Sequence, residues 1–287
     1  MNVDQAYDHC RAIAHKHGAN FSVGFRFLPR VKRRAVYAAY AYCRVADDIA
    51  DDELPGVTSD GRSAALDHWQ HELDLAYSAT PSEQPVTIAL ADALQHFAIP
   101  KSAFIALIDG CRQDMVKTRY ETFEELVHYC DLVATSISDI SLSIFGYRTP
   151  GALVHGRNLS TALQLTNVTR DVGDDLGRDR VYLPQEELRR FGVSERELFE
   201  RAENDRVRKL IEFQIARAEE YFRAAEPLLG ELEFDARFPT LLMGGVYATV
   251  LAKLRKDPLM VIRRRLSLSP LEKVMVVGRR MLRPHFV

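Results

Sequence analysis

An all-α fold is predicted by three observations. Apolar residues recur at threes and fours along most of the chain, no stretch alternates convincingly enough for a sheet, and neither an internal repeat nor a low-complexity linker interrupts the pattern. Short polar or proline-containing breaks separate the periodic runs, so consecutive helices are expected to lie antiparallel within one domain spanning 1–287.

The elements follow in order. Residues 31–51 read as a long helix, stopped by Pro55-Gly56. Residues 61–78, 86–97 and 101–120 form three further runs, each bounded by proline or a polar cluster. The run 122–145 opens with Thr122-Phe-Glu-Glu125, a capping-box pattern in which hydroxyl and carboxylate satisfy free backbone N–H groups. Residues 152–176 make the next long helix. After a loop through Pro184, helices are expected near 194–225, 240–256 and 270–282.

Composition narrows the function. With 47% hydrophobic residues in 287, the chain can bury a large core. Its 38 basic and 40 acidic residues nearly cancel, which gives no global field for nucleic acid. Locally the balance shifts: Ala252 to Arg283 holds ten Lys or Arg against Asp257 and Glu272. That tail suits an acidic or phosphorylated ligand, or peripheral contact with an anionic membrane surface. Cys10, Cys43, Cys111 and Cys130 show no CxxC pair or metal-ligand spacing, as expected of structural thiols in a reducing cytoplasm. The N-terminus lacks a signal-peptide apolar core, and no run approaches the roughly 20 apolar residues that span a bilayer.

Two aspartate clusters carry the chemistry. The first is Tyr40-Ala-Tyr-Cys-Arg44-Val-Ala-Asp47-Asp48-Ile-Ala-Asp51-Asp52. On a helix, Asp47 and Asp51 sit one above the other, and Arg44, Tyr40 and Tyr37 continue that face toward the N-terminus. The second is Gln164-Leu-Thr-Asn167-Val-Thr-Arg170-Asp171-Val-Gly-Asp174-Asp175, where Gln164, Asn167, Asp171 and Asp175 share one face. Both clusters are expected in the last turns of their helices, where like charges repel and acids oppose the macrodipole. Such an arrangement makes sense when a divalent cation joins the carboxylates. Magnesium takes carboxylate oxygens, keeps waters and completes its shell with substrate phosphates; manganese can replace it. Taken alone, an acidic run such as DDIADD is the composition of a solvated helix end. A second cluster, and the aromatic and amide residues on the same stripes, argue against that reading.

The chain resembles the squalene/phytoene synthase family, trans-isoprenoid enzymes that join two prenyl diphosphates head to head. His17-Gly-Ala-Asn20-Phe21 followed by Leu28-Pro29 is similar to its N-terminal substrate segment. The two aspartate clusters are similar to its paired motifs, the second followed by Arg180-Val-Tyr182-Leu183-Pro184. The resemblance implies an isoprenoid-synthase-type helical bundle with a central apolar cavity. It implies that Asp47, Asp51, Asp171 and Asp175 bind magnesium-diphosphate, and that Arg44 and Arg170 contact phosphate oxygens. Tyr40 and Tyr129 would lie near the reacting carbons, Gln164 and Asn167 would line the cavity, and His17 and Asn20 would meet substrate. Tyr247 and Arg265 match the C-terminal region less closely. Two departures stand out. Many relatives carry small glycines where this chain reads Ala134-Thr-Ser136-Ile-Ser138, and Asp179 replaces a common glycine before Arg180, which reads as a local loop effect.

The implied reaction is metal-assisted ionisation of an allylic diphosphate, attack by the second substrate, and passage through a cyclopropylcarbinyl diphosphate to a squalene-type product. Phe21, Phe25, Tyr37, Tyr40 and Tyr129 can stabilise cations through their ring faces, although for Phe25 and Tyr37 taken singly ordinary core packing is the stronger reading. Bulky Phe25 and Tyr37 favour two farnesyl chains; phytoene synthesis from geranylgeranyl chains and hydroxysqualene synthesis from presqualene diphosphate are the alternatives. A non-catalytic helical subunit would lack motif carboxylates, and a terpene cyclase would lack the paired motif with Arg-x-Tyr-Leu-Pro. No glycine-rich dinucleotide fingerprint supports NADPH use.

Overall fold

A computed structural model describes residues 1–17, 22–51, 59–78, 80, 82–282 and 285–286. The helices are, in order, α1 (Val3–His17), α2 (Ser22–Phe25), α3 (Arg30–Ala50), α4 (Ser59–Tyr77), α5 (Pro85–Leu94) and α6 (Lys101–Asp114). Then come α7 (Phe123–Cys130), a π-helical segment (Asp131–Thr135), α8 (Ser136–Phe145), α9 (Gly151–Arg170), α10 (Val172–Leu176) and α11 (Gln185–Phe191). The chain finishes with α12 (Glu195–Phe199), α13 (Asp205–Ala225), α14 (Leu228–Glu231), α15 (Phe234–Lys256), α16 (Met260–Arg263) and α17 (Pro270–Leu282). Only two isolated β-bridges, Arg119 with Val181 and Tyr147 with Leu232, occur among the described residues. Among the described residues, no helix is long and apolar enough to cross a membrane.

The chain divides into two compact units, each drawn from three stretches. The first comprises Met1–Val116, Ser136–Leu153 and Gly230–Thr240; the second comprises Lys117–Thr135, Val154–Leu229 and Leu241–Val287.

In the first unit, α1, α3 and α5 pack together, α4 lies against α5, and α8 packs on α3 and α6. Alanines explain how closely α3 is embraced: Ala35, Ala38, Ala39, Ala41, Ala46 and Ala50 are all buried. Tyr42 and Trp69 lock α3 to α4. Their rings stack at 5.0 Å, the Tyr42 hydroxyl donates to the Trp69 carbonyl, and the Trp69 indole donates to the Tyr42 carbonyl, both at 3.0 Å. Each buried aromatic thus keeps its polar handle satisfied. Arg62 donates to the Ala50 carbonyl at 2.9 Å and places a cation at the C-terminal end of α3, where the helix dipole favours it.

In the second unit, α11 packs on α13 and α10 on α16. Arg217 joins the first pair: it bonds Glu187 and lies 3.6 Å over the Phe123 ring and 4.6 Å over Phe213. Along the buried part of α9, the Thr166 and Thr169 hydroxyls donate back to Ala162 and Leu165 carbonyls at 2.7 Å, which satisfies them without leaving the helix. All four cysteines are buried thiols, and burial pushes Cys10 and Cys130 up to about 12, so they serve as packing groups.

Several expected boundaries move. The expected 101–120 helix ends at Asp114, because residues 118–120 turn to pair with the segment around Val181: Val181 N–H donates to Thr118 and Gln185 N–H to Tyr120, both at 2.9 Å. Thr122 does accept from Glu125 N–H at 3.3 Å, but the Glu125 carboxylate bonds Lys117 and the Glu121 N–H instead of closing the box. α15 starts six residues before the expected Thr240, carrying Pro239 within its second turn. Asp179 adopts φ 56°, a conformation that glycine takes freely and Asp tolerates, and Arg119 holds both its carbonyl and its carboxylate. Asp179→Gly is therefore expected to change stability by less than about 1 kcal/mol, whereas Asp179→Val should cost more than about 1 kcal/mol. Thermal denaturation of the two variants checks the order.

Candidate active site

Along the buried stretches of α3 and α9 the predicted stripes form the open faces, except that Tyr37 is itself buried. In α3 from Ala35 onward, the residues not fully buried are Tyr40, Arg44, Val45, Asp47 and Asp48, with Asp51 following as C-cap. The Asp51 N–H donates to the Asp47 carbonyl at 2.9 Å, so the first cluster does occupy a helix C-terminus. Arg44 reaches Asp47 at 2.9 Å and also pairs with Asp48. Behind them, the Phe25 ring meets Tyr37 edge-on at 6.2 Å and Tyr40 at 6.3 Å, while His15 lies 5.9 Å from Tyr37.

Solvent reaches the Asp47 side chain, which is 52% exposed, yet protein crowds around it. Its pKa is raised to about 6, chiefly by desolvation; Arg44 opposes the rise, and Asp51, Asp48 and Asp114 add to it. Asp114 closes α6, 67 positions away in sequence (114 − 47), and no local signal marks its part in this field.

The second cluster departs from expectation in one respect. α9 ends at Arg170, and Asp171 is the N-cap of the short helix α10 rather than part of one continuous helix to Leu176. Backbone bonding runs on through the kink, since the Asp174 and Asp175 N–H groups both donate to the Asp171 carbonyl at 2.9 Å. The acids therefore sit at a helix N-terminus, where the dipole favours them. Close packing by α16 dictates the kink: a Cβ at Gly173 would stand 2.7 Å from the Val261 carbonyl, and Arg201 donates to the carbonyls of Gly173 and Ile262.

From Leu159 to Gly173, only Gln164, Asn167 and Asp171 are incompletely buried, as the stripe predicts. Asp171 is gripped by two guanidinium groups. Arg170 donates to its two oxygens at 2.7 and 2.5 Å, and Arg265 does so at 2.9 and 3.2 Å. Tyr247 is buried beside them, bonded to Arg170 and Asn167. The two residues that matched least closely in sequence thus join the cluster directly. Asp174, not singled out from sequence, lies 3.8 Å from Arg265.

Asp175 borders a small hollow lined by Val168, Val172, Leu176, Val181, Leu183 and Leu198, together with Arg180 and Tyr182. Desolvation there, reinforced by Asp171 and resisted by Arg180 and Arg178, raises its pKa to about 7. Tyr182 leads on to Tyr129: the rings of Tyr120, Tyr129 and Tyr182 form a triangle with centroids 5.4 to 5.6 Å apart. Tyr129 is the penultimate residue of α7, one position before Cys130 and the π-helical segment, a distortion that periodicity does not reveal. Asn20 and Phe21 lie outside the described residues, as does the side chain of His17.

Among the described residues, no three His, Cys, Asp or Glu side chains converge to hold a metal unaided. The donor sets nevertheless fit magnesium, which needs only one or two carboxylates when waters and substrate phosphate complete its octahedron. Beside Asp171 the amide Oδ1 of Asn167 is buried and has no hydrogen-bond partner among the described residues, an oxygen donor suited to such a shell. Metal competes with protons for these carboxylates. Apparent metal affinity should therefore rise as pH increases through the window of about 6 to 7 set by Asp47 and Asp175. The same raised values mean that these two groups favour the metal-free fold most below their unfolded pKa near 4, and that this contribution is lost as pH rises through about 6 and 7. Calorimetric titration with magnesium and inorganic diphosphate across that range checks the sign; an affinity independent of pH would contradict it.

Comparison with known proteins places this geometry. A sequence model described as squalene/phytoene synthase matches residues 14–272. Similar relatives include the phytoene synthase of Mycobacterium tuberculosis, 37% identical over 279 residues covering 96% of this chain and 90% of that one. The 15-cis-phytoene synthase of Synechococcus elongatus is 33% identical, covering 98% and 94%. Among solved structures, a ligand-bound dehydrosqualene synthase superposes with a TM-score of 0.87 at 27% identity, over 99% of this chain and 98% of that one. The squalene synthase HpnC of Alicyclobacillus acidocaldarius superposes with a TM-score of 0.82 at 30% identity, covering 89% and 95%. With this match over most of its length and the all-α isoprenoid-synthase fold, the chain belongs to the squalene/phytoene synthase family of prenyltransferases.

Proposed function

We propose that the chain joins two geranylgeranyl diphosphates head to head, giving a phytoene-type product. The observation that carries the reaction class is the pair of open carboxylate faces, each with a guanidinium already bonded to its aspartates. The phytoene synthases at 33 and 37% identity support the twenty-carbon chain. Two farnesyl chains, the choice that Phe25 and Tyr37 suggest from sequence, stand as the second reading. The buried contact between those rings and the likeness to dehydrosqualene synthase support it.

In this reading Asp47 and Asp51 hold metal-bound diphosphate, as do Asp171 and Asp175 with the Asn167 amide oxygen. Magnesium, or manganese in its place, supplies Lewis-acid stabilisation of the departing diphosphate. Arg170 and Arg265, both bonded to Asp171 here, would exchange that partner for phosphate oxygens if a metal took the carboxylate, so the buried charge would stay balanced. Arg44 makes the same exchange from Asp47 and Asp48. The Tyr247 hydroxyl keeps Arg170 and Asn167 aligned during it. Tyr40 and Tyr129 present ring faces and hydroxyls near the reacting carbons, with Tyr129 held by Tyr120 and Tyr182. Gln164 orients Asn167, whose amide lies 3.4 Å from its oxygen. His17 and Asn20 keep the substrate roles that the family implies. One family model runs through stretches of both units, which supports a single functional domain over 1–287.

Mass spectrometry of products from farnesyl and geranylgeranyl diphosphate, with and without NADPH, tests this. A forty-carbon product from geranylgeranyl diphosphate without NADPH is expected. A thirty-carbon product alone favours the second reading, and no condensation product from either substrate rejects both.

A further inference from the structure

We infer that the outward face of α17 docks on an anionic lipid bilayer. Leu271, Val274, Met275, Gly278 and Leu282 recur at threes and fours along this helix and form one stripe. Leu271 is 70% exposed, Val274 66%, Met275 57% and Leu282 86%, and a Cβ at Gly278 would meet nothing within 4 Å. A soluble helix ordinarily turns such a stripe inward.

Here the inward face is already taken. Val276 and Arg280 are buried, Arg280 packs on Gly245 and donates to the His285 and Phe286 carbonyls, and the Phe286 ring fills the space beside Gly244. The start is fixed too, by Pro270 in the first turn and a reciprocal cap between Ser269 and Glu272. The helix is therefore anchored from behind and presents its apolar stripe outward.

Charge selects the occupant. Glu272 is the only acid of the helix, and it is turned to Lys253 and Ser269, away from the stripe. Arg279 borders the stripe and is exposed, as is Arg264 on the preceding connection. Of the ten basic residues from Ala252 to Arg283, Lys253, Arg255, Arg263 and Arg265 are paired with carboxylates and Arg280 is buried, so Arg264 and Arg279 form the cationic margin. An apolar stripe with a cationic margin is the composition of a helix lying in a bilayer interface. A second copy of the chain suits the face poorly. A helix of 13 residues is about 20 Å long, and one of its faces falls far short of the roughly 800 Å² per partner of a stable dimer. The surface stands independently of the proposed reaction, which adds only that a long hydrocarbon product needs an apolar destination.

Co-sedimentation with phosphatidylcholine vesicles, plain or containing about one-third phosphatidylglycerol, tests the assignment. Full-length protein is expected to sediment preferentially with the anionic vesicles. The triple variant Leu271→Ser, Val274→Ser, Met275→Gln should lose about tenfold or more in partitioning, with unchanged circular dichroism. Arg279→Glu should remove several-fold of the anionic preference. As a second readout, Val274→Trp should shift its fluorescence to the blue when anionic vesicles are added. Wild-type protein that stays in the supernatant overturns the inference, as does a triple variant that sediments undiminished. So does a wild-type dimer in sedimentation velocity that the triple variant dissolves without any vesicle binding.

Discussion

Asp47→Asn and Asp171→Asn should each lower turnover by about two to three orders of magnitude in saturating magnesium. Each replacement removes an anionic oxygen from a carboxylate pair proposed to hold the metal through which the leaving diphosphate is stabilised. Losing about 3 to 4 kcal/mol of that stabilisation corresponds to such a drop, at tenfold per 1.4 kcal/mol. The two variants should part company in stability. Asp47 stands among Asp48, Asp51 and Asp114, all of which raise its pKa, so its removal relieves repulsion and should leave the metal-free protein as stable or slightly more so. Asp171 instead neutralises Arg265 and the buried Arg170. Its amide replacement leaves a buried guanidinium short of a counter-charge, at a cost of about 1 to 3 kcal/mol. From spacing alone, both aspartates look equally repelled by their neighbours; the arginine brought in from 94 residues away reverses that for Asp171. Turnover against magnesium concentration, and thermal melts with and without chelator, measure the two effects. Full activity in excess chelator, or in either variant, would falsify the metal-diphosphate reading.

The difference between these aspartates marks what periodicity can convey. α3 begins and ends within a residue of expectation, and α17 matches at both ends, because each carries an apolar stripe and clear stop signals. The stripes of both clusters follow from helix geometry and reappear as the open faces. Long-range contacts leave no such trace. The kink at Asp171 depends on the Val261 carbonyl pressing on Gly173, and the early end of α6 depends on pairing near Val181. Pro239 reads as a boundary, yet α15 runs through it; proline breaks a helix on average, not at every position. Asp114, Tyr120 and Arg265 reach their partners across 60 residues or more, and only family resemblance pointed to one of them, Arg265.

Replacing both Phe25 and Tyr37 with alanine should shift product formation toward the longer prenyl diphosphate by about tenfold, whichever chain the wild type prefers. Tyr37 lies seven residues before Arg44 on α3, close to two full turns, so it stands about 10 Å from the guanidinium along the helix axis and on nearly the same face. Asp47 and Asp51 mark the opposite direction. A chain whose diphosphate is held at the aspartates, and which runs back along this face, meets Tyr40 first and then the Phe25–Tyr37 contact, where both rings are buried edge to face. Five carbons separate the two substrates, and two aromatic side chains occupy comparable space, so their removal frees room of the needed size. Stability must suffer, since truncating one buried aromatic costs about 3 to 5 kcal/mol. Phe25→Leu, which opens less space at a smaller cost, therefore accompanies the double variant, and a shift in the same direction is expected from it. The measurement is the ratio of forty- to thirty-carbon products in mixtures of the two diphosphates. If that ratio is unmoved in a variant that remains folded and active, Phe25 and Tyr37 are core packing alone, and chain length is set elsewhere along the open faces.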